Sequence, residues 1–165
     1  MSLGHDLLEQ ARHLAKRERG RPKQASLRRA VSSAHYALFH LFLEEAALQA
    51  VPGNLASWRP VTARAINHGD LRKVATWFVS RALPAPLSLS APLSSDIHLV
   101  ASACWQLQQI RHQADYDTTA KFTRQDVLLL VSDAEEAFAA WSRVRSTEEG
   151  RAFLLLLLVT DRWKR

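Results

Sequence analysis

Apolar residues recur at intervals of three and four along most of the chain, which is the spacing of one face of an α-helix. No segment alternates apolar and polar residues as a half-buried strand does. Turn residues separate the helical segments near positions 20–22, 51–54, 83–92 and 116–121. The pattern therefore predicts an all-α protein, an antiparallel up-and-down bundle of four core helices with one or two extra helices.

The third predicted helix is expected to break near positions 67–70, because a glycine inside a helix, here Gly69, costs about 1 kcal/mol relative to alanine. The second is predicted to be central, since apolar residues lie on more than one of its faces. Capping residues set several of the predicted ends. The predicted helices span 3–19, from the N-cap Ser26 to about 50, 61–82, 96–115 after Ser94 or Ser95, 123–145 from the pair Thr123 and Asp126, and a last one from the pair Ser146 and Glu149.

The second helix also carries a semi-polar stripe beside its apolar face. The stripe consists of Arg28, Ser32, His35 and Phe39, which are spaced by three and four residues. Tyr36 falls on the side opposite the apolar face. A lone histidine on a packed helix is more often a core residue than a catalyst, and this bland interpretation is favoured for His35.

Arg111 continues an apolar stripe of the fourth helix that otherwise consists of Ile97, Val100, Cys104 and Leu107. A guanidinium that faces a core needs partners, and Asp115 lies one turn later, where it can accept from Arg111. One interpretation is a structural ion pair that closes the end of the bundle. The other is a grip on phosphate or carboxylate, because the planar guanidinium donates two parallel hydrogen bonds.

Two stretches together resemble the HEPN (higher eukaryote and prokaryote nucleotide-binding) superfamily: Ser26 to His40, and Arg-His-Gln-Ala-Asp-Tyr-Asp from Arg111 to Asp117. The segment 64–70 also fits, and the similarity spans about 26–141. The resemblance implies a homodimeric helical bundle that binds nucleotide or RNA, or cleaves RNA. It also implies a nucleotidyltransferase or antitoxin as a candidate partner.

The chain departs from the catalytic pattern of that superfamily, which places a histidine four to six residues after the arginine. Tyr116, Asp117 and Thr118 stand there instead. A phenol with a pKa of about 10 is a poorer acid–base catalyst at neutral pH than an imidazole with a pKa of about 6.5. The sequence therefore favours binding over cleavage, with His68 and His112 as the candidate acid–base residues if cleavage occurs.

Three hypotheses follow. The first is a non-catalytic or weakly active nucleotide- or RNA-binding domain, and the second is a metal-independent endoribonuclease of a toxin–antitoxin or defence system. The third is a helical scaffold for protein interaction. The predicted ligand-binding residues are Arg111, Asp115, Tyr116, His68, His35 and Ser32.

The charge of the chain is uneven. The formal net charge is +6, and positions 12–29 hold eight lysines or arginines against one acid, Glu18. Such a patch favours a polyanionic partner through phosphate attraction and counterion release. A solvated helix end explains it equally well.

The last predicted segment, 146–163, contains five consecutive leucines from Leu154 to Leu158, so it is apolar on every side for nearly two turns. One side is expected to pack on the bundle, and the outward side is expected to form a dimer interface. The apolar run is too short to span a bilayer.

The remaining composition indicates one cytoplasmic domain over 1–165, without membrane segment, cofactor or metal. No secretory signal is evident at the N-terminus. The single Cys104 cannot form an intramolecular disulfide, and its apolar setting makes it a poor nucleophile. His35 and His40 are five residues apart and miss the spacing of helical metal ligands.

Overall fold

A computed structural model describes residues 2–160, and this part of the chain is helical with no β-strand, which confirms the predicted all-α class. None of the described helices is long and apolar enough to cross a membrane. The elements are α1 (Leu3–Lys16), α2 (Gln24–Ala50), a 3-10 helix (Gly53–Trp58), α3 (Arg59–Arg64), α4 (His68–Val79), α5 (Ser95–Tyr116), α6 (Arg124–Val144) and α7 (Glu148–Val159).

The long helix α2 is central, as predicted. It contacts α1, α3, α5, α6 and α7, and 15 of its 27 residues are buried. Because neighbours cover α2 on several sides, its apolar residues do not form a single stripe. Side chains that a helical wheel places on opposite sides of α2 are therefore both available to a site inside the bundle.

The predicted break in the third helical segment is confirmed, and a cap defines it. Asn67 Oδ1 accepts from the Asp70 backbone N–H at 3.1 Å, and Asp70 Oδ2 accepts from the Asn67 N–H at 2.8 Å. This reciprocal capping box satisfies two backbone donors that the first turn would otherwise leave free. It starts a new helix, α4, whose first residue is His68.

Two predicted helix starts are wrong by one to three residues. Lys23, not Ser26, is the N-cap of α2, because the Ser26 hydroxyl is buried and donates to Glu18 at 2.7 Å. Thr147 replaces Ser146 as the cap of α7 and accepts from the Gly150 N–H at 3.3 Å. The predicted caps of α5 and α6, Ser94 and Thr123, are confirmed.

Most of the leucine run of the last helix packs into the bundle, and the predicted dimer interface on its outward side stays a prediction. The fold buries Leu154, Leu156 and Leu157, and Leu158 is half-buried. Only Leu155 is exposed, at 55 %. The leucine run mainly supplies the core, and residues 161–163 of the predicted segment lie outside the described residues.

Candidate functional site

Three helices meet around Arg111: the middle of α2, the beginning of α4 and the last turns of α5. The side chains that they bring together are named here the Arg111 cluster. It consists of Ser32, His35, Tyr36, His68, Arg111 and Asp115.

The Arg111 guanidinium is mostly buried, with 15 % of the side chain exposed, and it continues the buried stripe of α5 as predicted. Its Nε lies 2.7 Å from Asp115 Oδ2, which confirms the predicted i,i+4 pair. The Nε–H is not directed at that oxygen, so the contact is ionic and Nε makes no hydrogen bond within the described part of the chain. Nη2 donates to the Tyr36 hydroxyl at 3.2 Å.

Asp115 is held from the other side by α2. The Ser32 hydroxyl donates to Asp115 Oδ1 at 2.6 Å, so Ser32 and Arg111 bind different oxygens of one carboxylate. Side chains locked by such contacts keep a guanidinium in place at little further entropic cost. The predicted residues Ser32, Arg111 and Asp115 thus form one connected group.

Arg28 fixes the end of α5. Its guanidinium donates to the carbonyl oxygens of Ala114, Asp117 and Ala120 at 2.7, 2.8 and 2.7 Å. These carbonyls belong to the last turn of α5 and to the loop after it, where helical partners are lacking. Arg28 is therefore occupied by backbone, and its charge is not a free part of the basic segment 12–29.

His35 and His68 form a hydrogen-bonded pair, with His35 Nε2 and His68 Nδ1 3.2 Å apart. His35 is 1 % exposed, and burial, followed by His68 and Arg111, lowers its pKa from 6.5 to about 3. Burial, followed by Arg111 and His40, also lowers the pKa of His68. Both imidazoles are therefore neutral at pH 7, with one nitrogen of the pair donating and the other accepting.

Aromatic rings enclose this pair. The His68 ring lies over Phe39 at a centroid distance of 3.9 Å, and Tyr36 meets His68 edge-on at 5.3 Å. The Arg111 guanidinium lies 5.5 Å from the Tyr36 ring centroid and 5.8 Å from that of Tyr116, within cation–π range. Tyr36 thus touches both Arg111 and His68 and links the two halves of the cluster.

The outer residues of the predicted site are more loosely attached. Tyr116 is 66 % exposed and contacts the cluster through the Arg111 guanidinium. His112 is exposed and packs beside Tyr116 at 5.0 Å, and the structure gives it no hydrogen bond to the cluster among residues 2–160. Tyr116 borders the site, whereas His112 is one step further out.

Tyr36 was not among the predicted site residues, since its position opposite the apolar face of α2 did not point to Arg111. The usable signal was its position four residues after Ser32 and next to His35. The semi-polar stripe itself is confirmed, because Arg28, Ser32, His35 and Phe39 all reach this end of the bundle.

The cluster combines a guanidinium, that of Arg111, with two neutral imidazoles, those of His35 and His68. Arg111 and Asp115 balance in charge, and Tyr36 uses only part of the guanidinium. Nη1 donates no hydrogen bond to any described residue, so it is free for an oxygen anion that approaches from the surface. His68 is half-buried and uncharged, and it contacts the Tyr36 ring, whose hydroxyl accepts from Arg111.

Other chemistry finds little support in residues 2–160. They contain no group of three or more histidine, cysteine, aspartate or glutamate side chains arranged to hold a metal ion. Cys104 is fully buried in α5, and burial raises the pKa of its thiol. No protein-family model matches the chain, and no curated protein or solved structure is significantly similar to it.

Proposed function

We propose that the Arg111 cluster binds a phosphate group of a nucleotide or of RNA. The observation that carries the proposal is the mostly buried guanidinium, which is fixed by Asp115 and Tyr36 and keeps Nη1 free. A planar guanidinium matches phosphate oxygens, and hydrogen bonds to charged groups contribute about 1.5–3 kcal/mol each. The resemblance to the HEPN superfamily supports the same ligand class.

Tyr116 extends this proposal to the nucleoside part of the ligand. Its exposed ring borders Arg111, and a base that stacks on an aromatic side chain gains about 1–3 kcal/mol. The phosphate then lies against Arg111 while the base covers Tyr116. Because stacking is tolerant of sequence, the site is expected to prefer nucleotides over inorganic phosphate but to discriminate weakly among bases.

Substitution of Arg111 tests the proposal. In titrations with ATP and with a short single-stranded RNA, Arg111→Ala is expected to weaken binding by about 10-fold to 100-fold, since one charged hydrogen bond is lost. Arg111→Lys keeps the charge but not the planar fork, so an intermediate loss is expected. Arg143→Ala is the matched control, because Arg143 also pairs with a carboxylate, that of Asp96, but is 56 % exposed elsewhere.

Thermal unfolding of the same variants separates binding from folding. The proposal requires Arg111→Lys to fold like the wild type and still bind less tightly. Normal binding by a folded Arg111→Ala protein would show that the Arg111–Asp115 pair is structural only. Unchanged affinity in both Arg111→Ala and Arg111→Lys would likewise show that the pair is structural only.

A second candidate function is RNA cleavage, favoured by the neutral His68 within the Arg111 cluster. His68 would remove the proton of the attacking 2′-hydroxyl and deliver it to the 5′-oxygen, which leaves as the 2′,3′-cyclic phosphate forms, while Arg111 stabilises the negative charge that develops on the phosphate. Metal-independent cleavage that is lost in His68→Ala but retained in His112→Ala supports this role. A broad RNA panel that is bound but left intact contradicts it.

A further inference from the structure

A second surface feature lies away from the Arg111 cluster, between α1 and α6. These helices run antiparallel, because Arg12 pairs with Glu135 while Arg124 donates to the carbonyls of Glu18 and Gly20. The shallow groove between these two contacts has a volume of about 500 Å³. It is lined by Arg12, Lys16, Arg124, Gln125, Leu128, Leu129 and Ser132. We name it the α1–α6 groove.

The rim of the groove is basic. Arg12 and Arg124 hold its two ends through their contacts with Glu135 and with backbone carbonyls. Lys16 lies between them, is exposed and forms no ion pair within residues 2–160. The chain continues past Lys16 into a loop with three more exposed arginines at 17, 19 and 21. Glu18, whose carboxylate accepts from Ser26 and from the Lys23 N–H, contributes one negative charge against Lys16 and these three arginines, so the rim stays cationic.

The floor of the groove is apolar. Leu128 is half-buried, and Leu129, on the outer side of α6, is 58 % exposed. The exposed leucine side chain contributes no burial free energy in the isolated chain. If a partner covers it, burial contributes up to about 1.5–3 kcal/mol to binding. Gln125 to Ser132 covers eight residues of α6, a rise of about 10 Å or two helical turns.

We propose that the α1–α6 groove docks an acidic amphipathic helix of a partner protein. The apolar stripe of that helix covers Leu128 and Leu129, and its flanking glutamates or aspartates pair with Lys16 and the neighbouring arginines. Charge complementarity favours this occupant, since the rim is cationic and the groove matches two turns of helix. The proposal is independent of the Arg111 cluster.

Nucleic acid and anionic membrane are the other occupants that a basic surface suggests. A phosphate backbone uses the cations but leaves the leucine floor uncovered. A membrane surface favours a broad apolar face, whereas the half-buried Leu128 and the exposed Leu129 are the only apolar residues that line this shallow groove. The combination of a small apolar floor and a basic rim therefore fits a helix best.

The test uses the full chain and a fluorescent designed helix of about 18 residues, roughly five turns, with a leucine stripe at i, i+3, i+4 and i+7 and glutamates beside it. A scrambled peptide of the same composition is the first control. Binding is followed by fluorescence anisotropy. The ordered peptide is expected to bind at least about tenfold more tightly than the scrambled one.

Variants of the groove assign the binding to this surface. Leu129→Glu and Lys16→Glu are each expected to weaken binding of the ordered peptide by about tenfold. Leu155→Glu and Arg151→Glu are the matched controls, because both residues are exposed on α7, outside the groove. The controls are expected to bind like the wild type, and thermal unfolding verifies that all four variants are folded.

Three results would overturn the proposal. One is equal affinity for the ordered and scrambled peptides. Another is equal loss in the α7 controls, which would indicate nonspecific charge attraction. The third is tighter binding of phosphatidylglycerol vesicles or single-stranded RNA than of the ordered peptide, if Leu129→Glu abolishes that tighter binding but leaves peptide binding unchanged.

Discussion

The paired histidines of the Arg111 cluster make the stability of the fold depend on pH. His35 lies inside the bundle, its nearest titratable neighbour is another histidine, and the nearby cation Arg111 further disfavours protonation. The protein therefore holds His35 in the neutral form, whereas the unfolded chain protonates it near its ordinary pKa of 6.5. This difference links the free energy of unfolding to pH.

The sign of the linkage is fixed by the lowered pKa. His35 takes up a proton near pH 6.5 in the unfolded state, but only near pH 3 in the folded state. The contribution of neutral His35 to the free energy of unfolding is therefore fully present above pH 6.5 and declines as the pH falls. Each such site contributes a slope of up to about 1.4 kcal/mol per pH unit. Urea unfolding between about pH 7 and pH 5, above the range in which most carboxylates titrate, measures this slope.

His35→Gln is expected to flatten that slope, because glutamine does not titrate. His13→Gln, at an exposed position in the last turn of α1, is the control and should leave the slope unchanged. An identical slope in wild type and His35→Gln would mean that His35 is not kept neutral by the fold.

Among the helices, α7 depends most sharply on one residue. A Cβ atom added at Gly150 would lie 2.0 Å from the Val144 carbonyl oxygen and 2.8 Å from its carbon. Backbone atoms cannot yield as a flexible side chain does, so α7 would have to move relative to the end of α6.

Gly150→Ala is therefore expected to destabilise the protein by about 1–3 kcal/mol, although alanine favours an isolated helix by about 1 kcal/mol. Gly20→Ala, at a position with nothing within 4 Å, should change stability by less than about 0.5 kcal/mol. Chemical denaturation of both variants checks the contrast. Equal stability of the two variants would contradict the close approach.

The helices show which features of the fold the sequence specifies. The break before α4 was predictable because Asn67, Gly69 and Asp70 are local signals, and their cap needs no other helix. The start of α2 was not, because Ser26, a good N-cap in isolation, bonds to Glu18 of another segment instead. Long-range contacts can thus override a local preference for capping.

In the candidate site, too, contacts within one helix were predictable, whereas contacts between helices were not. The Arg111–Asp115 pair was predictable because both residues lie on one helix at i,i+4 spacing. The Ser32–Asp115 and His35–His68 bonds join residues 83 and 33 positions apart and depend on how the helices pack. Tyr36 was not assigned to the site because its position opposite the apolar face of α2 does not show which neighbouring helix it meets.

For the whole molecule, the apolar surface is concentrated in an unexpected region. Leu48, Leu55, Trp58 and Val61, around the 3-10 helix and α3, are each between 47 and 60 % exposed. On α7 only Leu155 is comparable. Exposed apolar side chains that include tryptophan are typical of interfaces.

If the chain forms the homodimer that the HEPN resemblance implies, this region is expected to form the interface. Trp58→Glu should then convert the dimer to a monomer, whereas Leu155→Glu should not, as measured by solution mass at several protein concentrations. Leu156→Glu is unsuitable, because Leu156 is 3 % exposed and its change would disrupt the core. A wild-type chain that is monomeric at every concentration would refute the homodimer.

The end of α7 is joined to the beginning of α4. The Thr160 hydroxyl donates to Asp70 Oδ1 at 2.8 Å in a buried contact, and Asp70 Oδ2 is the oxygen that caps α4. One carboxylate therefore connects α7 to the helix that begins with His68. Mechanical coupling follows: a pull or twist applied to α7 reaches the first turn of α4, next to His68, through this hydrogen bond, although Thr160 and Asp70 are 90 residues apart along the chain.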